Sequence, residues 1–324
     1  MPSEIDATYR VVTPLFCAGA DPTRPEIRLP SFKGVLRFWW RALAWSRCRG
    51  DLGRIFEEEA ALFGSAGAGR SRVTMRLGLP DGRKSAPGKG LTEPGVRYLG
   101  YGLTEGAPGR ERAYLTPPLT FTVHLRTRCL HERQLQCLRR AMIAMGVFGG
   151  LGARSRNGFG SLVLESLRCD DEETWVAPET PHDLGNKIVD LHAGGGPERF
   201  PEYTALSQNT RHVLLSSSET ETLPLLNLVG GELKNAVRTV GRSQRVAFGL
   251  PRGRRKERRA SPLFVHVHEC GARPVVVLSF LPAHFLPDEP MSSMNRLYQP
   301  VYAFLDGLSK PVQRRQFTAI EIKP

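Results

Sequence analysis

Short stretches of this chain alternate apolar and polar residues with a period of two, and longer ones repeat near 3.6, which marks strands and helices respectively. Residues 7–16 (ATYRVVTPLF) predict a strand stopped by Pro and Gly. Ser31 is placed to cap a helix running to about residue 49, and a second helix covers 51–63. Residues 72–79 and 119–126 (LTFTVHLR) read as strands. Between them, 80–113 is rich in Gly, Pro, Lys and Arg and predicts a long inserted loop or hairpin. Residues 131–148 predict an amphipathic helix with Leu135, Leu138, Met142 and Met145 on one side, and 161–167 a further strand.

The second half repeats that β-α-β-β-α-β order. Residues 212–216, 263–268, 274–280 and 316–322 read as strands. Residues 223–242 hold a helix with Leu233, Val237 and Val240 inward, and 291–308 form another. The predicted fold class is therefore α+β, with two tandem ferredoxin-like (RRM-like, βαββαβ) domains. The first spans 1–168 with the insertion at about 80–113. An acid-, Pro- and Gly-rich joining segment follows at 169–210, and the second domain spans 211–324.

Charge adds a partner to this outline. Forty-five Lys and Arg against 32 Asp and Glu give +13, an excess that suits a polyanion such as nucleic acid. No apolar run approaches the roughly 20 residues of a membrane-spanning helix, and MPSEIDATYR lacks the basic and apolar parts of a signal peptide. A cytoplasmic chain without membrane contact is expected. Six cysteines at 17, 48, 129, 137, 169 and 270 form no CxxC pair or zinc spacing, so reduced packing residues are expected, with no cofactor or metal.

Two segments carry candidate chemistry. In SFKGVLRFWWRALAWSRC, Lys33, Arg37 and Arg41 recur at i, i+4 and i+8, while Phe32, Leu36, Trp39 and Leu43 take another face and Trp40 the border. A cation row beside an exposed aromatic edge suits a single strand, because cations follow phosphates and rings stack on bases. A solvated helix face over core aromatics gives the same pattern. The loop GGLGARSRNGFG (149–160) interleaves five glycines with Arg154 and Arg156, between a predicted helix and a strand. Its Gly150 and Gly152 let backbone approach a phosphate closely, and Ser155, Asn157 and Phe159 complete the cluster. Neither the dinucleotide nor the Walker spacing is present. Lys234, Arg238 and Arg242 repeat the i, i+4, i+8 spacing in the second half, and PRGRRKERR brings Arg254, Arg255, Arg258 and Arg259.

The strings TPLFCAGA, PEIRLPSFKGVLRFWWRAL, GGLGARSRNGFGSL and GLPR…RRASPLFVHV resemble the RAMP proteins of CRISPR systems. The S-x-K-G-x-L-R segment is shared across that superfamily, whereas Trp39, Trp40 and Arg41 together resemble the first-subunit family of the Cmr (type III-B) complex. The resemblance implies two ferredoxin-like domains and an antiviral ribonucleoprotein. Its partners would be guide RNA, target RNA and other Cmr-type RAMP subunits. It implies contact with the 3′ part of the guide and with incoming target, with cleavage left to another subunit.

The eight histidines are scattered. His266 and His268 share one strand face and read as half-buried, and His124 and His131 flank a turn without a neighbouring acid. Asp21 stands where related cleaving subunits carry a catalytic Asp, but its surrounding motif differs. The expectation is RNA binding without catalysis. A metal-independent guide-processing endoribonuclease and a generic RNA chaperone are the alternatives. Alanine at Arg37 and Arg41 is expected to weaken RNA capture and leave the fold intact.

Overall fold

The computed structural model describes residues 3–78, 83–105, 111–192, 196–250, 257–309 and 317–322. The first half comprises β1 (Glu4–Val11), α1 (Leu29–Arg47), α2 (Leu52–Phe63) and β2 (Val73–Gly78), then β3 (Ser85–Pro87), α3 (Pro94–Leu99) and β4 (Ala113–Leu115). It continues with β5 (Leu119–Thr127), α4 (Glu132–Phe148), β6 (Leu162–Cys169), β7 (Glu172–Glu173) and α5 (Pro181–His192). The second half comprises β8 (Arg211–Ser217), α6 (Thr222–Thr239), β9 (Leu263–Cys270), β10 (Arg273–Phe280), α7 (Met294–Ser309) and β11 (Phe317–Ile322). The fold is α+β. Strand order is β2-β5-β1-β6-β7 in one sheet and β11-β8-β10-β9 in the other, and β3-β4 form a short ladder, with every pairing antiparallel.

Alternation sets the first sheet. Ile5, Ala7, Tyr9 and Val11 of β1 all point into the core, and the Tyr9 hydroxyl donates to the Met142 carbonyl of α4 at 2.9 Å. The second sheet departs from simple alternation. Seven of the eight residues of β9 and seven of β10 are buried, because one half of the molecule packs against the other. His266 and His268 are thus fully buried, not half-buried. Arg156 O accepts from Val265 N at 2.8 Å, Ser161 Oγ accepts from Val267 N at 3.1 Å, and His266 Nδ1 donates to Gly149 O at 2.8 Å.

Several boundaries differ from expectation. Helix α1 begins at Leu29 with Pro30 in its first turn, so Arg28, not Ser31, is the N-cap. Helix α6 ends at Thr239, which leaves Arg242 outside it. Strand β1 ends at Val11, ahead of Pro14, and Leu79 and Gln316 lie outside the described residues. The insertion carries α3, whose Gly95 meets α6 so closely that a Cβ there would lie 1.9 Å from Asn227 O. The joining segment is structured too: β7 extends the first sheet, and α5 is held by Arg140, whose Nη2 donates to Asp190 O and Leu191 O.

Three imidazoles, His212, His266 and His268, are fully buried, and a fourth, His192, is half-buried beside His212. His192 Nε2 lies 2.7 Å from His212 Nε2, and His212 Nδ1 lies 2.8 Å from Ser279 Oγ. Burial pushes His192 and His268 down to about 4, and holds His212 and His266 well below the ordinary imidazole range. These rings fold neutral, whereas in the unfolded chain they take up protons near 6.5. Their contribution is therefore present above pH 6.5 and is lost as pH falls toward 4. We expect urea unfolding to show about 1–2 kcal/mol lost per imidazole between pH 7 and 5. A flat profile over that window would show that the rings are not held neutral.

Candidate nucleic-acid interface

Helix α1 buries Phe32, Leu36 and Trp39 in the main core, as its spacing predicts, while Leu43 is half-buried. Its cation row is not open to solvent in the way the spacing suggested. Arg37 Nε and Arg41 Nη1 each donate at 2.8 Å to the same oxygen, Glu59 Oε1 of α2. The Glu59 side chain is 8% exposed, whereas Arg37 and Arg41 keep 36% and 38%. Lys33 Nζ approaches Phe63 O at 3.5 Å, and burial, then the neighbouring Arg37, lowers its pKa. Trp40 is a correction: it is 3% exposed, lying under the Arg47 guanidinium and edge-on to Phe63. Helix α2 covers the side of α1 on which Trp40 was read as an exposed border.

The glycine loop joins α4 to β6, and most of its glycines serve packing. Gly152 has φ +78°, and a Cβ there would lie 2.3 Å from Phe16 O, whose carbonyl accepts from Ala153 N at 2.8 Å. Gly158 and Gly160 also have positive φ, with Leu226 Cδ1 and Leu151 O inside 2.6 Å of a Cβ. Phe159 is fully buried against Phe16, so it offers no stacking surface. Asn157 Nδ2 is committed to Leu99 O at 2.8 Å, tying the loop to α3. Arg154 is exposed at φ +59°, with Nε and Nη2 donating to Tyr101 O at 3.1 and 2.7 Å.

The two candidate segments do meet. Between the first half of α1 and the loop lies an open cleft of about 310 Å³, lined by Ser31, Gly34, Phe38, Gly149, Gly150, Ser155, Arg156 and Phe264. The Arg156 guanidinium sits 4.6 Å from the Phe264 ring centroid and 5.1 Å from that of Phe38, and these rings stack at 5.9 Å. Arg156 Nη1 donates to Ser261 O at 3.2 Å. Burial, with Arg259 nearby, lowers its pKa to about 10, so it remains charged at neutral pH. Gly34 is exposed within α1, and a Cβ there would meet nothing within 4 Å. A glycine inside a helix costs about 0.5–1 kcal/mol relative to alanine. Phe38 and Phe264 were missed by sequence reasoning. Phe38 lies one turn beyond Gly34, which was a usable signal, but Phe264 comes from β9 and no local spacing announces it.

The remaining candidates are dispersed. Lys234 is half-buried on α6, which packs on α3 and β10, whereas α1 packs on α2 and α4. Arg238, Arg242 and Arg258 are exposed, Arg259 Nη2 donates to His284 O at 3.0 Å, and Arg254 and Arg255 lie outside the described residues. His124 does have an acid: Asp6 opposes it across the β1–β5 ladder, with Nδ1 2.8 Å from Oδ1. His131 is the N-cap of α4. Asp21 Oδ1 accepts from Thr23 N and Oγ1, and these hydrogen bonds lower its pKa. Its exposed carboxylate is thus committed to a turn. No helix among the described residues is long and apolar enough to cross a membrane.

Comparison with known proteins places this geometry. The family model of the RAMP superfamily matches residues 8–163, and that of the Cmr1 C-terminal domain matches 209–311. The CRISPR system Cmr subunit Cmr1-1 of Pyrococcus furiosus is 30% identical over 285 residues, 82% of this chain and 83% of the relative. Cmr1-2 of the same organism is 28% identical over 176 residues, 48% of this chain and 92% of the relative. The fold is similar to the apo crystal structure of Pyrococcus furiosus Cmr1, with TM-score 0.70, 24% identity and 98% of each chain covered. It is also similar to a chain of the type III-B Cmr-beta complex bound to cognate target RNA, with TM-score 0.59, 11% identity, 94% of this chain and 100% of that one. The chain therefore belongs to the Cmr1 family within the RAMP superfamily.

Proposed function

We propose that this chain is a non-catalytic RNA-binding subunit of a type III-B CRISPR (Cmr) ribonucleoprotein. In this reading it contacts the 3′ part of the guide RNA, captures target RNA, or does both, for antiviral defence. Its partners are guide and target RNA and other Cmr-type RAMP subunits. The observation that carries the reading is the cleft in which Arg156 lies against Phe38 and Phe264. It joins a charged plane to aromatic rings, the pairing that single strands use for phosphate and base contact. The net charge of +13 supports it. The relatives support it too: one is a subunit of the CRISPR Cmr system, and one similar chain comes from a complex bound to cognate target RNA. The scaffold is two ferredoxin-like domains, 1–168 and 211–324. Each sheet supports this, since numbering the four principal strands of each half in chain order gives the order 4-1-3-2 or its reverse.

A salt titration of single-stranded RNA binding tests the reading. The slope of log affinity against log salt is expected to be about −0.7 for each phosphate neutralised. Arg154→Ala is expected to make that slope shallower by about one such step, with little loss of stability because its side chain is exposed. Salt-independent binding would sink the phosphate contacts. Repeat RNA incubated with the chain is expected to stay intact, and a single discrete cut would favour the endoribonuclease reading. Equal affinity for every RNA, unaffected by changes at the cleft, would favour the chaperone reading.

A further inference from the structure

We propose that the cleft between α1 and the glycine loop is a nucleobase pocket. It takes one unpaired base of a bound single strand, stacked on Phe38 and the Arg156 guanidinium, and Gly34 holds its mouth open. This rests on the RNA-binding reading above and assigns a base, not only a phosphate, to the site.

Three features point to a base. The lining brings together flat groups from separate parts of the chain: Phe38 from α1 and Arg156 from the loop face the cleft, and Phe264 of β9, itself buried, backs the guanidinium. A phosphate needs donors around it, whereas aromatic and guanidinium planes favour a π-face. Arg156 donates a hydrogen bond through Nη1 to Ser261 O, which fixes the guanidinium against the rings. The cleft, at about 310 Å³, has polar groups beside the planes, including Ser31 and Ser155, suited to a base edge.

Gly34 supplies an independent argument. Helical glycines here differ in their reasons: a Cβ at Gly230 would lie 2.4 Å from Gly95 O, whereas at Gly231 and Gly307, as at Gly34, it would meet nothing within 4 Å, and Gly34 is the one of these three that lines the cleft. At Gly34 a Cβ meets nothing, and the helical backbone asks for no glycine. A side chain there would project from α1 at the cleft that Gly34 lines. The helix carries a flexible residue that its own packing does not require, at the place where a ligand would enter.

The test uses the full chain and mixed-sequence single-stranded RNA carrying 2-aminopurine at successive positions. The wild type is expected to quench the fluorescence at one position, as stacking requires. Gly34→Leu is expected to abolish that quench and weaken binding about 5- to 150-fold, the equivalent of roughly 1–3 kcal/mol of base stacking. Its salt slope should stay unchanged, because no phosphate contact is removed. Arg156→Lys, which keeps the charge and loses the plane, is expected to reduce the quench in the same direction. Gly34→Ala is expected to raise the melting temperature by about 1–3 °C, showing that the fold does not need the glycine. Normal RNA binding without any quenched position, or a quench that survives Gly34→Leu, would overturn the pocket and leave the RNA-binding reading standing. A wild-type chain that binds no RNA would overturn both.

Discussion

Alanine at both Arg37 and Arg41 is expected to lower the unfolding free energy by about 1–3 kcal/mol, the cost of removing both donors from the Glu59 carboxylate, reduced by the solvent that already reaches the two guanidiniums. Both guanidiniums donate to Glu59 Oε1, whose side chain is almost wholly enclosed between α1 and α2. Removing them leaves a carboxylate in a poorly hydrated place with neither counter-charge nor donor. The surface-row reading expected the fold to remain intact. Urea unfolding of the double variant measures the loss. A triple variant that adds Glu59→Gln should regain a large part of it, since the stranded charge is gone. If the double variant proves as stable as the wild type, the Glu59 pair is not a structural element. Any loss of RNA binding in the double variant therefore has to be read beside the triple variant, in which lost arginine contact and lost fold are separated.

Gly152→Ala is the second large effect, at about 2–5 kcal/mol. Two costs add there. An L-residue at φ +78° is disfavoured by about 1–2 kcal/mol, and a Cβ placed 2.3 Å from Phe16 O forces backbone apart in a close-packed site, which costs about 1–3 kcal/mol more. Thermal unfolding of the free protein is the measurement. A glycine kept for phosphate approach would give unchanged stability and weaker RNA binding, whereas a glycine kept for packing gives the reverse order of effects. The position of Phe16 O supports the latter.

These three positions show what sequence patterns carry. Alternation in residues 119–126 and the 3.6 repeat in 131–148 reflect one-sided burial, so β5 and α4 were legible to within a residue or two. The Lys33, Arg37, Arg41 row was legible as a row, but its neighbour was not: that depends on how α2 folds back, placing Glu59 opposite cations about 20 residues earlier. The glycine loop was legible as unusual, and two opposed causes, ligand approach and tight packing, write the same letters. Trp40 and Phe159 look like stacking residues in the sequence and are core residues in the fold. Arg156 was found from its loop, while its ring partner Phe264, over 100 residues away, required the docking of one half on the other. The long insertion reads in the sequence as a loop or hairpin, and β3–β4 do pair, but α3 within it was not legible because Gly95 and Gly230, which bring it onto α6, make contact only in three dimensions.

Strand β9, buried along almost all its length, has a thermodynamic consequence. Phe264 belongs to that strand, and Phe38 and Arg156 come from the other half, so the cleft exists only while the halves are docked. Anything that occupies it binds the docked state and not the separated one. By linkage, occupancy and docking reinforce each other, and occupancy at free ligand concentration L stabilises the docked state by RT ln(1 + L/Kd). A strand lying in this seam would act as a reversible staple across the molecule.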